Sequence, residues 1–195
     1  MMSRNLLLHG MMGAGKSTVA VLLGERLGRR VADTDEELRT WTGRSIPELF
    51  ATYGEAGFRD LERRVVEELA TYHDLVVALG GGAVLRDDNV ASLLLTGVLV
   101  ELRATPEVLV ERLAGSTDRP LLGTVGPDGR VRGTPAELRQ RVERTHAERA
   151  RRYAEVADLT VDAARTPDQI VDDILDWALA QGDVLTPSEH EQVMR

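Results

Sequence analysis

The stretch from Leu6 to Leu27, LLLHGMMGAGKSTVAVLLGERL, constrains the chain most, because an apolar run, a glycine-rich loop ending in Lys16-Ser17 and a helical pattern follow one another. Gly10, Gly15, Lys16 and Ser17 satisfy the G-x-x-x-x-G-K-S/T spacing of a phosphate-binding loop, and Gly13 adds a glycine inside it. Asn5 to His9 reads as a short buried strand, while Val19, Leu22, Leu23 and Leu27 recur at helical spacing. Strand, loop and helix stand in the order such a loop requires. Glycines let backbone N–H groups turn inward around phosphate oxygens, and the following helix adds its unsatisfied N-terminal donors. Gly13, Ala14, Gly15, Lys16, Ser17 and Thr18 are therefore candidate nucleotide-binding residues. Lys16 can reach the β and γ phosphates, and the Ser17 hydroxyl can ligate Mg2+.

Around this feature, 195 residues leave room for one substantial core, read as a single domain over 1–180 with a polar tail over 181–195. A hydrophobic share of 43% with 29% charged residues excludes global disorder. The net charge of -8 opposes nonspecific nucleic-acid binding. The absence of cysteine excludes disulfides and thiolate chemistry. His9, His73, His146 and His190 have no metal-ligand spacing and are assigned to packing or surface. The leading MMSRNLLLHG lacks signal-peptide architecture, and the other apolar segments are interrupted or too short to span a membrane. A cytoplasmic monomer without nucleic-acid or membrane partners is the expectation.

Five apolar strand candidates alternate with helices, which calls for a parallel three-layer α/β/α domain. After the first helix comes Asp33-Thr34-Asp35, where two carboxylates share one side if the strand runs through both. Alternatively Asp33 or Thr34 caps the helix that follows, and both readings can hold. Glu36 to Thr42 reads as a short helix, Ser45 caps another with Pro47 in its first turn, and Tyr53 to Gly57 breaks the pattern before a longer helix from Phe58. This block, about 34–62, is expected to be a substrate-binding excursion. Leu75 to Leu79 is a strand ending in Gly80-Gly81-Gly82, which permits close approach of a ligand or forms a flexible turn. The segment about 114–135 is expected to be a lid, mobile over Gly123 to Gly133, with a plain exposed loop as the alternative. Thr134-Pro135 opens a charged helix toward Tyr153, and Thr166-Pro167 opens a last amphipathic helix to about Ala180. Gly182 to Arg195 is expected to fray. Without an N-K-x-D signal, a small-molecule kinase is favoured over a GTPase or a motor ATPase.

Taken in order, GMMGAGKS at Gly10 to Ser17, DTD at Asp33 to Asp35, GEAGFRDLE at Gly54 to Glu62, ALGGGAV at Ala78 to Val84, DRPLL at Asp118 to Leu122 and the arginine-tyrosine pattern Arg149 to Tyr153 resemble the shikimate kinase family. The resemblance covers roughly Leu6 to Leu175. It implies a P-loop kinase with a five-stranded parallel sheet of order 2-3-1-4-5 that transfers phosphate from MgATP to the 3-hydroxyl of shikimate. Lys16, Asp35 and Arg119 would be catalytic, with Arg119 entering from the lid to stabilise transition-state charge. Arg59 and Arg149 would bind the shikimate carboxylate through guanidinium forks. Asp35 would bind ring hydroxyls and align or deprotonate the nucleophile. Gly80, Gly81 and Gly82 would bring backbone to shikimate, and Glu62 would hold Arg59. Ser17 would ligate Mg2+ directly and Asp33 through water, while Arg112 and Arg165 match adenine-side positions. The chain departs from the family in the long stretch between Arg119 and Arg149 and in Ala150-Arg151-Arg152, which replaces a usual proline. A kinase for gluconate or another polyol acid and a nucleotide-binding regulatory protein are the competing functions.

Overall fold

All five residues of the first strand, β1 (Asn5–His9), are buried. Alternate strand residues face opposite sides, so full burial requires helices over both faces of the sheet. The computed structural model, which describes residues 3–114, 124–125, 131–132 and 134–194, supplies that arrangement. After β1 come α1 (Lys16–Leu27), β2 (Arg30–Asp33), α2 (Thr34–Thr42), α3 (Ile46–Leu69), β3 (Leu75–Ala78), a 3-10 turn (Ala83–Leu85), α4 (Asp87–Leu94) and β4 (Gly97–Arg103). Next are α5 (Pro106–Leu113), the two-residue strands β5 (Thr124–Val125) and β6 (Val131–Arg132), α6 (Pro135–Val156), β7 (Leu159–Asp162), α7 (Pro167–Ala180) and α8 (Pro187–Val193).

The main sheet runs β2-β3-β1-β4-β7, all parallel, which is the order 2-3-1-4-5 when its five strands are counted along the chain. Its register sets Leu6 beside Val76 and Val98, and Leu8 beside Ala78 and Val100. Because β2, β3 and β1 are neighbours, the loops that leave their C-terminal ends are neighbours too. The phosphate loop, Asp33-Thr34-Asp35 and the triple glycine therefore converge on one edge of the sheet, where ligands bind in open parallel sheets.

Local chemistry explains where the helices start. The Asp33 carboxylate accepts from the Asp35 amide and caps α2, so β2 ends at Asp33 and Asp35 lies in a first helical turn. The strand does not run through both carboxylates. Ser45 with Glu48, Thr134 with Glu137 and Thr166 with Gln169 form capping boxes, each followed by proline in the first turn. The break expected over Tyr53 to Gly57 shrinks to one residue, since α3 continues through a kink at Gly54, whose φ of 68° and ψ of -176° are non-helical.

The C-terminal segment corrects the expectation of fraying. Val184 and Leu185 are buried, and burying each side chain stabilises by about 1.5–3 kcal/mol. α8 begins with a Thr186–Glu189 capping box, and Glu189 receives both Nε and Nη2 of the buried Arg29 at 2.7 and 3.0 Å. Polar composition hid this docking, because the apolar anchors are only two residues. In the expected lid, β5 and β6 pair antiparallel; Arg119, Pro127, Arg130 and the rest of Gly123 to Gly133 lie outside the described residues. No helix among the described residues is long and apolar enough to cross a membrane.

Candidate active site

The phosphate loop is shaped by contacts that only glycine tolerates. A Cβ on Gly10 would sit 2.5 Å from the Leu102 carbonyl oxygen, and Gly10 and Gly15 have φ of 133° and 94°. Gly15 precedes α1 in a left-handed conformation, and no side chain among the described residues caps the helix. Its first-turn donors and the positive end of its dipole are thus left for an anion. Lys16 is folded over the loop, donating to the carbonyls of Gly10 and Met11 at 3.0 Å each. The Ser17 hydroxyl donates to Asp33 Oδ2 at 2.7 Å. These two oxygen ligands, beside a loop built for phosphates, fit Mg2+, which takes one or two protein oxygens and fills its octahedron with water and phosphate. Arg112 reaches from α5 to the Ala14 carbonyl at 3.4 Å.

Across the same cavity, of about 470 Å³, lies a second constellation. Gly13, Gly15, Lys16, Ser17, Thr18, Asp33 and Arg112 line one part; Asp35, Arg59, Gly80, Gly81, Gly82 and Arg149 line another. Arg59 Nη1 donates to Glu62 Oε2 at 2.7 Å, one helical step along α3, and Glu62 is only 1% exposed. Burial raises the Glu62 pKa above its ordinary value, against the lowering effect of Arg59. The Arg59 guanidinium packs 5.4 Å from the Phe58 ring centre, and Phe58 stacks on Phe50 at 4.1 Å across the Gly54 kink. With Ile46 they form the apolar part of the cavity lining, against which Arg59 rests.

Two of the three glycines, Gly80 and Gly82, are crowded by side chains of the site, whereas a Cβ on Gly81 would meet only ordinary contacts, the nearest at 3.7 Å. A Cβ on Gly82 would fall 1.9 Å from Arg59 Nη1, and one on Gly80 would come within 3.0 Å of oxygens of both Asp35 and Glu62. The Gly80 amide donates to the Thr34 hydroxyl at 2.7 Å, whereas the amides of Gly81 and Gly82 have no acceptor among the described residues. Arg149 Nη1 donates to the Gly81 carbonyl at 3.2 Å. The result is a polar cradle of carboxylate, guanidinium and free backbone donors facing the phosphate loop. Such a cradle can hold a small hydroxylated anion with one hydroxyl turned toward a nucleotide.

Ala14 is buried behind the loop, where its carbonyl meets Arg112. Arg165 pairs with Asp173 on the next helix and does not line the cavity. Arg119 lies outside the described residues. Sequence reasoning missed Phe50, Ile46 and Thr34, whose roles depend on the kink in α3 and on β2 and β3 being neighbours. His9, expected in a buried strand with a packing or surface role, is fully buried; its ring nitrogens make no hydrogen bond among the described residues, and its pKa is pushed down to about 3 by burial and by the Lys16 charge.

The shikimate kinase family model matches residues 12–179. Shikimate kinases of Thiobacillus denitrificans and Pseudomonas fluorescens are 44% and 41% identical to this chain, over 83% and 89% of it and 82% and 95% of their own lengths. A 50% identity to the Synechococcus elongatus shikimate kinase spans 63% of this chain and 64% of that protein. The shikimate kinase of Acinetobacter baumannii, solved in complex with shikimate, superposes with a TM-score of 0.81 at 34% identity, over 91% of this chain and 94% of that one. The chain belongs to the shikimate kinase family.

Proposed function

We propose that this protein phosphorylates the 3-hydroxyl of shikimate with MgATP, giving shikimate 3-phosphate and ADP. The observation that carries this reading is the sharing of one cavity by a phosphate-binding loop and a cradle for a polyhydroxylated carboxylate. Arg59, held by Glu62, offers guanidinium donors to the acceptor's carboxylate, and Arg149 offers a second set. Asp35 accepts a hydrogen bond from the reacting hydroxyl, aligns it and takes its proton as the oxygen attacks. That hydroxyl oxygen then forms the new bond to the γ phosphorus, the β–γ bridging bond breaks, and ADP departs. Lys16 leaves the loop carbonyls to neutralise charge on the transferring phosphate. Ser17 and Asp33 would hold Mg2+, which when bound screens the charge of the nucleotide's phosphates. Arg119 adds charge from the lid side. On this reading the protein works as a cytoplasmic monomer.

ADP release from MgATP, measured with shikimate, with gluconate and with no acceptor, tests the proposal. Turnover that depends on shikimate is the expected result. Tight MgATP binding with no shikimate-dependent turnover would overturn the acceptor assignment, and preference for gluconate would reassign it.

A further inference from the structure

Helix α6 grips the triple-glycine loop with one face. Arg149, Arg152 and Tyr153 stand at positions i, i+3 and i+4, which project together from a helix. Arg149 Nη1 and the Tyr153 hydroxyl both donate to the Gly81 carbonyl, Arg152 Nε donates to the Val84 carbonyl at 3.0 Å, and Arg152 Nη2 also reaches Asp87. Two donors on one carbonyl use both of its lone pairs. The two donors differ in situation. Arg149 lines the cavity, whereas Tyr153 is 2% exposed and held in place by the edge of His9, ring centres 5.8 Å apart at 64°. Neither His9 nitrogen makes a hydrogen bond among the described residues, so His9 walls the tyrosine in without competing for its hydroxyl.

We propose that Tyr153 is a positioning residue for the acceptor, one that keeps the Gly81 carbonyl anchored when Arg149 turns from it to the acceptor's carboxylate. The proposal rests on the acceptor reading given above. An arginine that both anchors the loop and binds substrate would release the loop at the moment of binding. Tyr153 removes that conflict. The free amides of Gly81 and Gly82 then stay in place for the acceptor while Arg149 is engaged. Burial also raises the Tyr153 pKa, against the lowering effect of Arg149, so the hydroxyl remains a donor throughout the neutral range.

Tyr153→Phe in the full chain removes the hydroxyl and keeps the ring against His9. The shikimate KM should rise roughly fivefold to tenfold, the effect of one hydrogen bond to a pre-organised group, with the MgATP KM within about twofold of wild type. Independently of any acceptor, amide hydrogen exchange over Gly81 to Leu85 should be faster in the variant than in wild type. An unchanged shikimate KM, an equal rise in both KM values, or unchanged exchange in this loop would overturn the positioning role. Should wild-type protein fail to turn over shikimate, the acceptor reading falls, and the exchange comparison still decides whether Tyr153 anchors the loop.

Discussion

Two arginine–glutamate pairs, one buried and one half-buried, sit at different places in this molecule and serve different ends. Arg29 donates to both Glu189 carboxylate oxygens and to the carbonyls of Arg4 and Val184, all at 2.7 to 3.0 Å. Its side chain is 1% exposed, and every nitrogen has a partner. Arg59 makes one close bond, to Glu62, and a looser approach of 3.6 Å to Glu55, and the rest of its guanidinium lines a cavity. The first pair is saturated and closes a chain terminus onto the fold. The second is left with unused donors, and it is held at a partner's expense, since burial raises the pKa of Glu62. A buried charge with nothing left to bind is structural; one with donors to spare is poised for an anion.

The largest test of this contrast is Arg59→Ala. Losing a charge-assisted fork to a carboxylate should cut kcat/KM for shikimate by about 100- to 1000-fold, while MgATP binding changes little. Folding should suffer less than activity, because the unpaired Glu62 can take a proton. A variant with near-normal acceptor kinetics would show that the open pair is as structural as the closed one.

Arg29→Ala should reverse the pattern. Removing one partner of a buried pair costs about 3–5 kcal/mol when the other charge stays buried. Here α8 can peel away and hydrate Glu189, which puts the loss near the lower end, about 3 kcal/mol, read from the urea midpoint. The shikimate KM should stay within about twofold of wild type. An altered shikimate KM in a well-folded Arg29→Ala protein would break the separation of roles.

The same contrast explains what could be read from the residues alone. The phosphate loop is contiguous, so Gly10, Gly15, Lys16 and Ser17 declare it in eight letters. Arg59 and Glu62 are one helical step apart and stand inside a motif, so their pairing was legible too. The parallel order of the sheet followed from alternating strands and helices together with the resemblance. Arg29 and Glu189 are 160 residues apart, and their pairing depends on Val184 and Leu185 anchoring a segment whose composition is polar. Tyr153 was visible as part of a pattern, but its bond to Gly81 required the packing of α6 against the loop after β3. Local chemistry is written in adjacent letters; contacts that span the fold are written only in the topology.

The smallest expected effect is the sharpest, because the two glutamates should respond to acid with opposite sign. Burial of Glu62 outweighs Arg59 and raises its pKa above the ordinary 4.5, so on acidification the native state takes up that proton before the unfolded chain does. Its contribution to stability therefore improves as pH falls through the native pKa, and its hold on Arg59 weakens. Burial acts in the raising direction on Glu189 as well, but the hydrogen bonds from Arg29 and Thr186 prevail and lower its pKa below 4.5. Its stabilisation is complete above the unfolded value and is lost as pH falls through the lowered native one. Urea unfolding of wild type, Glu62→Gln and Glu189→Gln from about pH 7 to about pH 3.5 separates the two. Relative to Glu62→Gln, wild type should gain stability as pH falls in the range above 4.5; relative to Glu189→Gln, it should lose stability below 4.5. The share of the acid limb of kcat/KM for shikimate that protonation of Glu62 contributes should be absent from Glu62→Gln. Slopes of the same sign would mean that both pairs are closed, and the distinction between a pair that staples and a pair that binds would fail.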